Sequence, residues 1–563
     1  MTGPVRTATR ARHTRGIARL LAAAVALGLV LAACGTSTDG GDGGGGAGGT
    51  TPAPSQADIV KDAAGTPETG GTLRVALEAE TDGWDPSKNR WAPSAYIVAS
   101  AIFDPLVVVD TNFEPKANLA ESFTHNDTFT QWEVKLRPNV TFQDGEPLTA
   151  AWLDEWFGIV RKSTLTGAAL TAIESSAVID PLTVRVTMKQ PWSAFPYIMA
   201  SQGGYIPSPK MIASPEGSRN PVGTGAFTFK EWVTDKQLTV AKNPTYWRSG
   251  MPYLDGIEFK PITDSNARIT ALKAGDIDLF MAALADPIAQ LTTEAQAGNI
   301  QLVHSQGDQD ANFVMFNVSQ PPFDDVRVRQ ALAYAIDRDT LRELSGTPSE
   351  LGASSLYDST SRWYTDPGEY YPYDLDKAKA LIDAYKKDKG ELRFTFGTTI
   401  DPEVQKSTTA ITQMWQAAGA QVEPQTLEQT TYITNAVTGK FQAVIWRQFG
   451  ASDPDSNYVW WIGANAVTPV FTLNAARNQD PQVDAALDKA RTTLDQATRK
   501  QQYAIVQQRF KELVPYIWLS HVQWTMAASN QVRNIQHYPL PDGSESLGLV
   551  NGTFPMTAIW LDR

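Results

Sequence analysis

An α/β architecture is the fold class that this 563-residue chain predicts. Segments with a two-residue apolar period alternate with segments of helical period, and no repeat unit recurs along the chain. Only one cysteine is present, so buried apolar surface rather than a disulfide framework must hold the fold. Hydrophobic residues make up 42% of the chain, an ordinary globular share. About 490 residues follow an atypical N-terminal region, enough for two or three domains.

The first strand is read from Leu73, Val75 and Leu77 alternating with Thr72, Arg74 and Ala76. A second apolar run, Phe103 to Asp110, and a third, Trp132 to Leu136, extend the strand signal. Thr149 is a good N-cap for a helix over 150–162, where Trp152 and Trp156, four apart, share one core-facing side. A helix over 264–274 closes on Gly275, and a strand follows at 276–280. Asp325 caps a helix carrying Val328, Leu332 and Ile336 at helical spacing, and Asp337 caps another that runs through Leu344. Further helices are expected at 374–387, 404–418, 480–494 and 497–513, with strands at 391–397 and 441–446.

The N-terminal region has a different character. Arg6, Arg10, Arg12, Arg15 and Arg19 precede the uncharged run Leu20 to Ala33, the pattern of a secretory signal peptide. That run is too short for a bilayer of about 30 Å. Leu31-Ala32-Ala33-Cys34 resembles a bacterial lipobox, which implies cleavage after residue 33 and a lipid on Cys34. Residues 34–68, rich in Gly, Thr and Pro, are expected to be a disordered tether. Removing the five arginines leaves 43 basic residues against 61 acids, a mature charge of −18. Such a surface argues against nucleic acid or an anionic membrane as a partner, leaving the lipid as the only membrane attachment.

Four stretches carry a family resemblance: Asn220-Pro-Val-Gly-Thr-Gly-Ala-Phe227, Lys242-Asn-Pro-Thr-Tyr-Trp247, Ala271-Leu-Lys-Ala-Gly-Asp-Ile-Asp278, and Asn317 to Arg338. In this order they resemble the family 5 extracellular solute-binding proteins, the dipeptide- and oligopeptide-binding type of ABC importer. The resemblance implies a two-lobe periplasmic-binding-protein-like fold (class II, large peptide-binding type) with an extra inserted domain. Lobe I would combine 69–95, 215–300 and 525–563, the inserted domain 96–214, and lobe II 301–524. The motif residues themselves have structural readings. Gly223 and Gly225 permit a tight reversal, and Arg327 and Arg329 are expected to be solvated or ion-paired.

Ligand contacts are sought at strand ends facing the cleft, first of all in 445–461. Trp446, Arg447, Phe449, Asp453, Asp455, Tyr458 and Trp460 are the candidates there, and Trp84, Asn89 and Trp91 follow the first strand on the opposite side. Peptide-binding relatives place a carboxylate for the ligand's α-amine at the position that aligns with Gly450. Either Asp453 or Asp455 takes over that role, or both shape a turn. Arg447 is read either as a planar fork for a carboxylate or phosphate or as one half of a structural salt bridge.

No catalytic residue, metal or cofactor is expected. The histidines outside the leader, at 125, 304, 521 and 537, are scattered, and neither a GxSxG elbow nor an HExxH motif occurs. Asp453-x-Asp455-x-Asn457 lacks the glycine and the glutamate that a calcium loop needs at Tyr458 and Ala464. The resemblance implies a monomeric, non-enzymatic receptor on the outer face of the cell membrane, handing a short peptide or related polar solute to an ABC permease and its ATPase. Two alternatives stay open: a sugar, glycoside or other non-peptide solute on the same fold, and an exported hydrolase or surface sensor.

Overall fold

Two mixed sheets organise the computed structural model, which describes residues 57–61, 65–89, 91–163, 166–305, 310–448, 450–467 and 472–563. The leader, Cys34 and most of the expected tether lie outside those residues.

The first sheet has seven strands in the order Ile300–His304, Thr525–Ser529, Leu279–Ala282, Thr72–Leu77, Gly256–Pro261, Gln237–Lys242 and Phe227–Val233. Thr72–Leu77 runs parallel to both of its neighbours, and the outer pairs are antiparallel. Alternation gives this sheet two cores. Leu73, Val75 and Leu77 pack with Leu279 and Met281 on one face, and Ala76, Phe280 and Leu302 on the other.

The second sheet runs Gln421–Leu427, Arg393–Thr399, Ala443–Gln448, Ala311–Phe316 and Tyr516–His521. Val314 and Phe316 face one core, and Phe313 and Met315 the other. The chain crosses between the sheets twice, after His304 and after His521. The crossings are tied together by Ser305 N–H donating to the Trp524 carbonyl at 2.9 Å and Val522 N–H to the Asp310 carbonyl at 3.0 Å. These are the two lobes of the expected fold.

A four-stranded antiparallel sheet, Ala120–His125, Gln131–Leu136, Thr183–Met188 and Ile173–Asp180, forms a separate layer within 96–214. Thr149 caps the helix Ala150–Lys162 by accepting from Trp152 N–H, and Trp152 and Trp156 are both buried. Their indole N–H groups donate to the Pro207 and Gly203 carbonyls at 2.8 and 3.0 Å, so neither ring buries an unsatisfied donor.

Other caps follow the sequence reading. Asp325 and Asp337 each accept from a backbone N–H of their helices, Val326–Tyr334 and Arg338–Ser345. Gly275, at φ 76°, ends Ser265–Ala274 in the left-handed region. Arg327 pairs with Asp325 and Asp388, while Arg329 is buried and donates to the Leu513 and Phe323 carbonyls.

The tether needs a correction at its C-terminal end. Ile59 bridges Leu302 in antiparallel fashion, Asp58 accepts from His304 N–H at 2.8 Å, and Lys61 N–H donates to Gln301 Oε1 at 2.8 Å. The strand Ile300–His304 is a sheet edge, and its open backbone groups recruit this short apolar segment. Asp58, Ile59 and Lys61, inside the expected tether, are therefore docked on the first sheet.

His304 lies at this edge, buried, with Nδ1 3.0 Å from Thr525 Oγ1. Burial pulls its pKa below the ordinary 6.5, although Asp58 acts the other way. The unfolded chain therefore takes up this proton before the folded one does. The stabilising contribution is complete above pH 6.5 and is lost as pH falls below it towards the folded-state value. Replacing His304 by Gln should flatten the acid limb of stability against pH by up to about 1.4 kcal/mol per pH unit. Urea titrations between pH 7.5 and 5.5 measure this, and parallel curves for the two proteins would refute it.

Candidate functional site

Between the lobes lies a cavity of about 1220 Å³. One wall follows the first strand. Trp91 precedes the helix Pro93–Ile102, and Pro93 starts that helix without needing an N–H. Tyr96 is three residues further on, and Tyr205 arrives from a distant loop. The three rings form a triangle with centroids 5.6–5.9 Å apart, each pair edge to face. Trp91 Nε1–H donates to the Gly83 carbonyl at 3.3 Å, and Tyr96 Oη accepts from Gln202 N–H at 3.2 Å. Burial pushes the Tyr96 phenol up to about 12, so it is neutral at physiological pH. Tyr538 and Phe554 extend the aromatic lining.

The opposite wall is the loop after Ala443–Gln448: Gly450, Ala451, Ser452 and Ser456 face the cavity, with Glu428 and Ile433 beside them. Two buried ion pairs hold this loop. Asp453 caps the 3₁₀ turn Pro454–Asn457 and receives Arg499 Nη2 at 2.6 Å and Nη1 at 2.8 Å. Asp455 receives Arg491 Nε at 2.6 Å and Trp192 Nε1 at 2.7 Å. The Gly450 amide donates to Asp310, whose carboxylate also accepts from Trp524 Nε1 at 2.9 Å at the lobe crossing. Burial raises the Asp310 pKa, and Arg447 and these donors oppose the rise.

Asp104 is the buried carboxylate on the floor of the cavity. It accepts from Thr224 Oγ1 at 3.1 Å, Tyr246 Oη at 3.0 Å and Trp247 Nε1 at 2.8 Å. Burial raises its pKa, and the three neutral donors pull it back. Two of the stretches that carry the family resemblance, 220–227 and 242–247, thus meet on one side chain. Among the described lining residues the charged groups are Glu80, Asp82, Asp104, Glu428 and Lys88, an excess of carboxylates.

The sequence candidates distribute unevenly over this geometry. Trp91 lines the cavity, as does the backbone at Gly450. Asp453 and Asp455 are instead consumed by Arg499 and Arg491, because a carboxylate at 0–3% exposure needs a counter-charge that no ligand has to supply. Arg447 lies 3.4 Å from Asp310 and over the Trp524 ring, which is the salt-bridge alternative.

Trp446 stacks on Tyr432 at 5.7 Å, and Tyr458 Oη donates to Asp488 at 2.8 Å while its ring covers Arg491. Trp460 packs against the core of the second lobe, Trp84 is buried edge to face with Trp232, and Asn89 Oδ1 accepts from Asp85 N–H at 3.0 Å. Phe449 lies outside the described residues. Sequence reasoning missed Tyr96, Tyr205, Tyr538 and the Ser452–Ser456 edge. Tyr96 carries a usable signal, one helical turn after Pro93; Tyr205 carries none, since it comes from a loop more than 100 residues further along.

Comparison with known proteins agrees with this picture. The family model for bacterial extracellular solute-binding proteins, family 5, middle region, matches residues 114–470. A glutathione-binding protein, GsiB of Salmonella paratyphi A, is 31% identical over 298 residues, which cover 51% of this chain and 56% of that protein. The match thus spans little more than half the length of that relative.

Two solved structures share the fold. The periplasmic binding protein DppA of Helicobacter pylori, in complex with the peptide STSA, has TM-score 0.76 at 23% identity, covering 88% of this chain and 99% of that one. The binding protein AgaA of A. tumefaciens R10, in complex with agropinic acid, has TM-score 0.75 at 23% identity, with coverage of 88% and 99%.

Proposed function

Since this chain belongs to the bacterial extracellular solute-binding proteins of family 5, we propose that it captures a short peptide or related polar solute for an ABC importer, while catalysing no reaction. The observation that carries this reading is the cavity of about 1220 Å³ between two lobes joined by paired crossings. It exceeds the usual 300–1,000 Å³ of a small-ligand pocket and suits a cargo of several linked units. The bodies that close would be 69–95, 215–300 and 525–563 together with 96–214 on one side and 301–524 on the other. The strand Ile300–His304 belongs to the first side by its sheet.

The excess of lining carboxylates favours a cargo with a free amine. Glu80, whose carboxylate also accepts from Trp232 Nε1 at 3.0 Å and Asp235 N–H at 2.7 Å, and Asp82 line the cavity just beyond the first strand, and they are the proposed substitutes for the acid missing at Gly450. The wall of Trp91, Tyr96 and Tyr205 offers apolar and edge contacts to the cargo's body. A non-peptide solute is the second reading, favoured by that same missing acid. The AgaA structure, bound to agropinic acid, is a case of this fold with another kind of ligand.

Native mass spectrometry of the protein purified without refolding decides between them. A co-purified set of short peptides supports the first reading, and one uniform non-peptide mass replaces it with the second. Turnover of cargo by the purified protein would instead make it an enzyme.

Delivery is proposed to depend on a lipid at Cys34. The Gly-, Thr- and Pro-rich composition of 34–68 is that of a tether between such a lipid and the folded body. Cys34→Ala should release the protein from the membrane fraction and depress uptake, while the purified protein binds cargo as before. Membrane retention of the variant would remove the lipid from the mechanism.

A further inference from the structure

Among the described residues, polar side chains join the inserted 96–214 layer to the second lobe in two clusters away from the lobe crossings. At the first, Trp192 is fully buried and its Nε1–H reaches Asp455 Oδ2 at 2.7 Å, joining the Asp455–Arg491 pair. The Trp192 ring also lies 5.1 Å from the Arg491 guanidinium carbon, with the Tyr458 ring 3.3 Å away on Arg491. Ser193 completes the contact, its N–H donating to the Arg491 carbonyl at 2.8 Å and its Oγ to the Thr493 carbonyl at 2.7 Å.

At the second, Arg362 donates to the Asn112 and Phe113 carbonyls at 3.0 and 3.1 Å and to Tyr197 Oη at 3.1 Å, and it pairs with Glu114. A separate cavity of about 350 Å³ sits against this contact, lined by Glu114, Arg362, Ser452 and Gln496 among others. The bonds made by Trp192, Ser193 and Arg362 each join 96–214 to 301–524, so opening the lobes has to break them.

Two features set the first contact apart from ordinary seam packing. Asp455 and Arg491 already neutralise one another, and Asp455 belongs to the turn Pro454–Asn457, whose Ser456 faces the main cavity together with Ser452 just before it. Trp192 therefore adds a directional bond to a carboxylate that is fixed in the cleft wall. Its indole is 0% exposed and packs in the core of the inserted layer, so the bond to Asp455 leaves from a fixed ring.

We propose that Trp192, with Arg362 as the second point, is a closure clasp that holds the unliganded chain predominantly closed and positions the 450–456 loop without touching cargo. The proposal rests on the reading that these two bodies open and close around a solute. Ligand release would then be limited by the clasp as well as by contacts in the cleft. Trp192 is a positioning residue, acting on the cleft through Asp455.

The test uses the full chain with Cys34→Ser, which leaves no native cysteine. Lys189→Cys and Ala497→Cys introduce spin labels at exposed positions on either side of the seam, and their distance distribution is recorded after co-purified cargo has been stripped by unfolding and refolding, its absence checked by native mass spectrometry. The wild-type background should give one short, narrow distance. Trp192→Phe keeps a ring and deletes the N–H, and should raise the long-distance population about tenfold or more, the loss of one charge-assisted bond.

Arg362→Gln, at a site 19% exposed rather than fully buried, should act in the same direction. A wild-type distribution that is already long overturns the clasp, and so does an unchanged distribution in both variants. Cargo identification by mass spectrometry stands apart from this result, so failure of the clasp and failure of the capture reading are distinguishable.

Discussion

Asp453→Ala should lower the stability of the second lobe by about 3–5 kcal/mol, the cost of leaving a buried charge without its partner. Asp453 is 0% exposed and Arg499 2%, and the guanidinium meets the carboxylate through two bonds of 2.6 and 2.8 Å. Removing the acid strands a cation against Trp363 and Tyr503, whose rings give it partial shelter only. The same substitution deletes the cap of the 3₁₀ turn Pro454–Asn457, worth about 1 kcal/mol more.

Because Ser452 lies just before this turn and Ser456 lies in it, both facing the cleft, cargo affinity should fall together with stability. The measurement is thermal and urea unfolding of Asp453→Ala beside the double variant Asp453→Ala/Arg499→Met. The double variant removes both charges and should recover most of the loss. If it is no more stable than the single variant, the pair is not what holds the turn.

Asp104→Ala is the second large effect, at about 3 kcal/mol or more. Three buried donors, Thr224 Oγ1, Tyr246 Oη and Trp247 Nε1, share this one carboxylate. Each donor left without an acceptor costs about 1–3 kcal/mol, and water entering the vacated space offsets part of the total. Asp104→Asn retains one carbonyl acceptor, so it should fall between wild type and Ala. The order wild type, Asn, Ala in unfolding midpoint is the expected result. An Asn variant as damaged as Ala would mean that the charge, rather than acceptor count, is what the three donors need. Tryptophan fluorescence should report the Ala change directly, because Trp247 loses its N–H partner.

These two acids show how far the amino-acid sequence could be read. The 220–227 and 242–247 stretches were legible as a family signature, and so were the caps Thr149, Asp325 and Asp337, because a cap is a contact within three residues. That Asp104 gathers Thr224, Tyr246 and Trp247 was not legible, since the partners lie 120 to 143 residues away. The acids of the 450–456 loop have the same history. Their position in a strand-end loop was visible, but their arginine partners come from a helix end and a helix start 36 and 46 residues on.

By itself the sequence determined the α/β class, the order and ends of most helices and strands, and the family, because periodicity, caps and motifs are properties of neighbouring residues. It also marked residues 34–68 as polar and Gly-rich, but the docking of Ile59 on Leu302 depends on an edge strand 243 residues further along the chain. Only the tertiary structure decided which side chains face the cavity. Tyr96 and Tyr205 converge there with Trp91, whereas Asp453, Asp455 and Arg447 turn to buried counter-charges. The physical reason is desolvation: a charged side chain near a lobe core must find its partner wherever the fold brings one, and sequence spacing does not record that meeting.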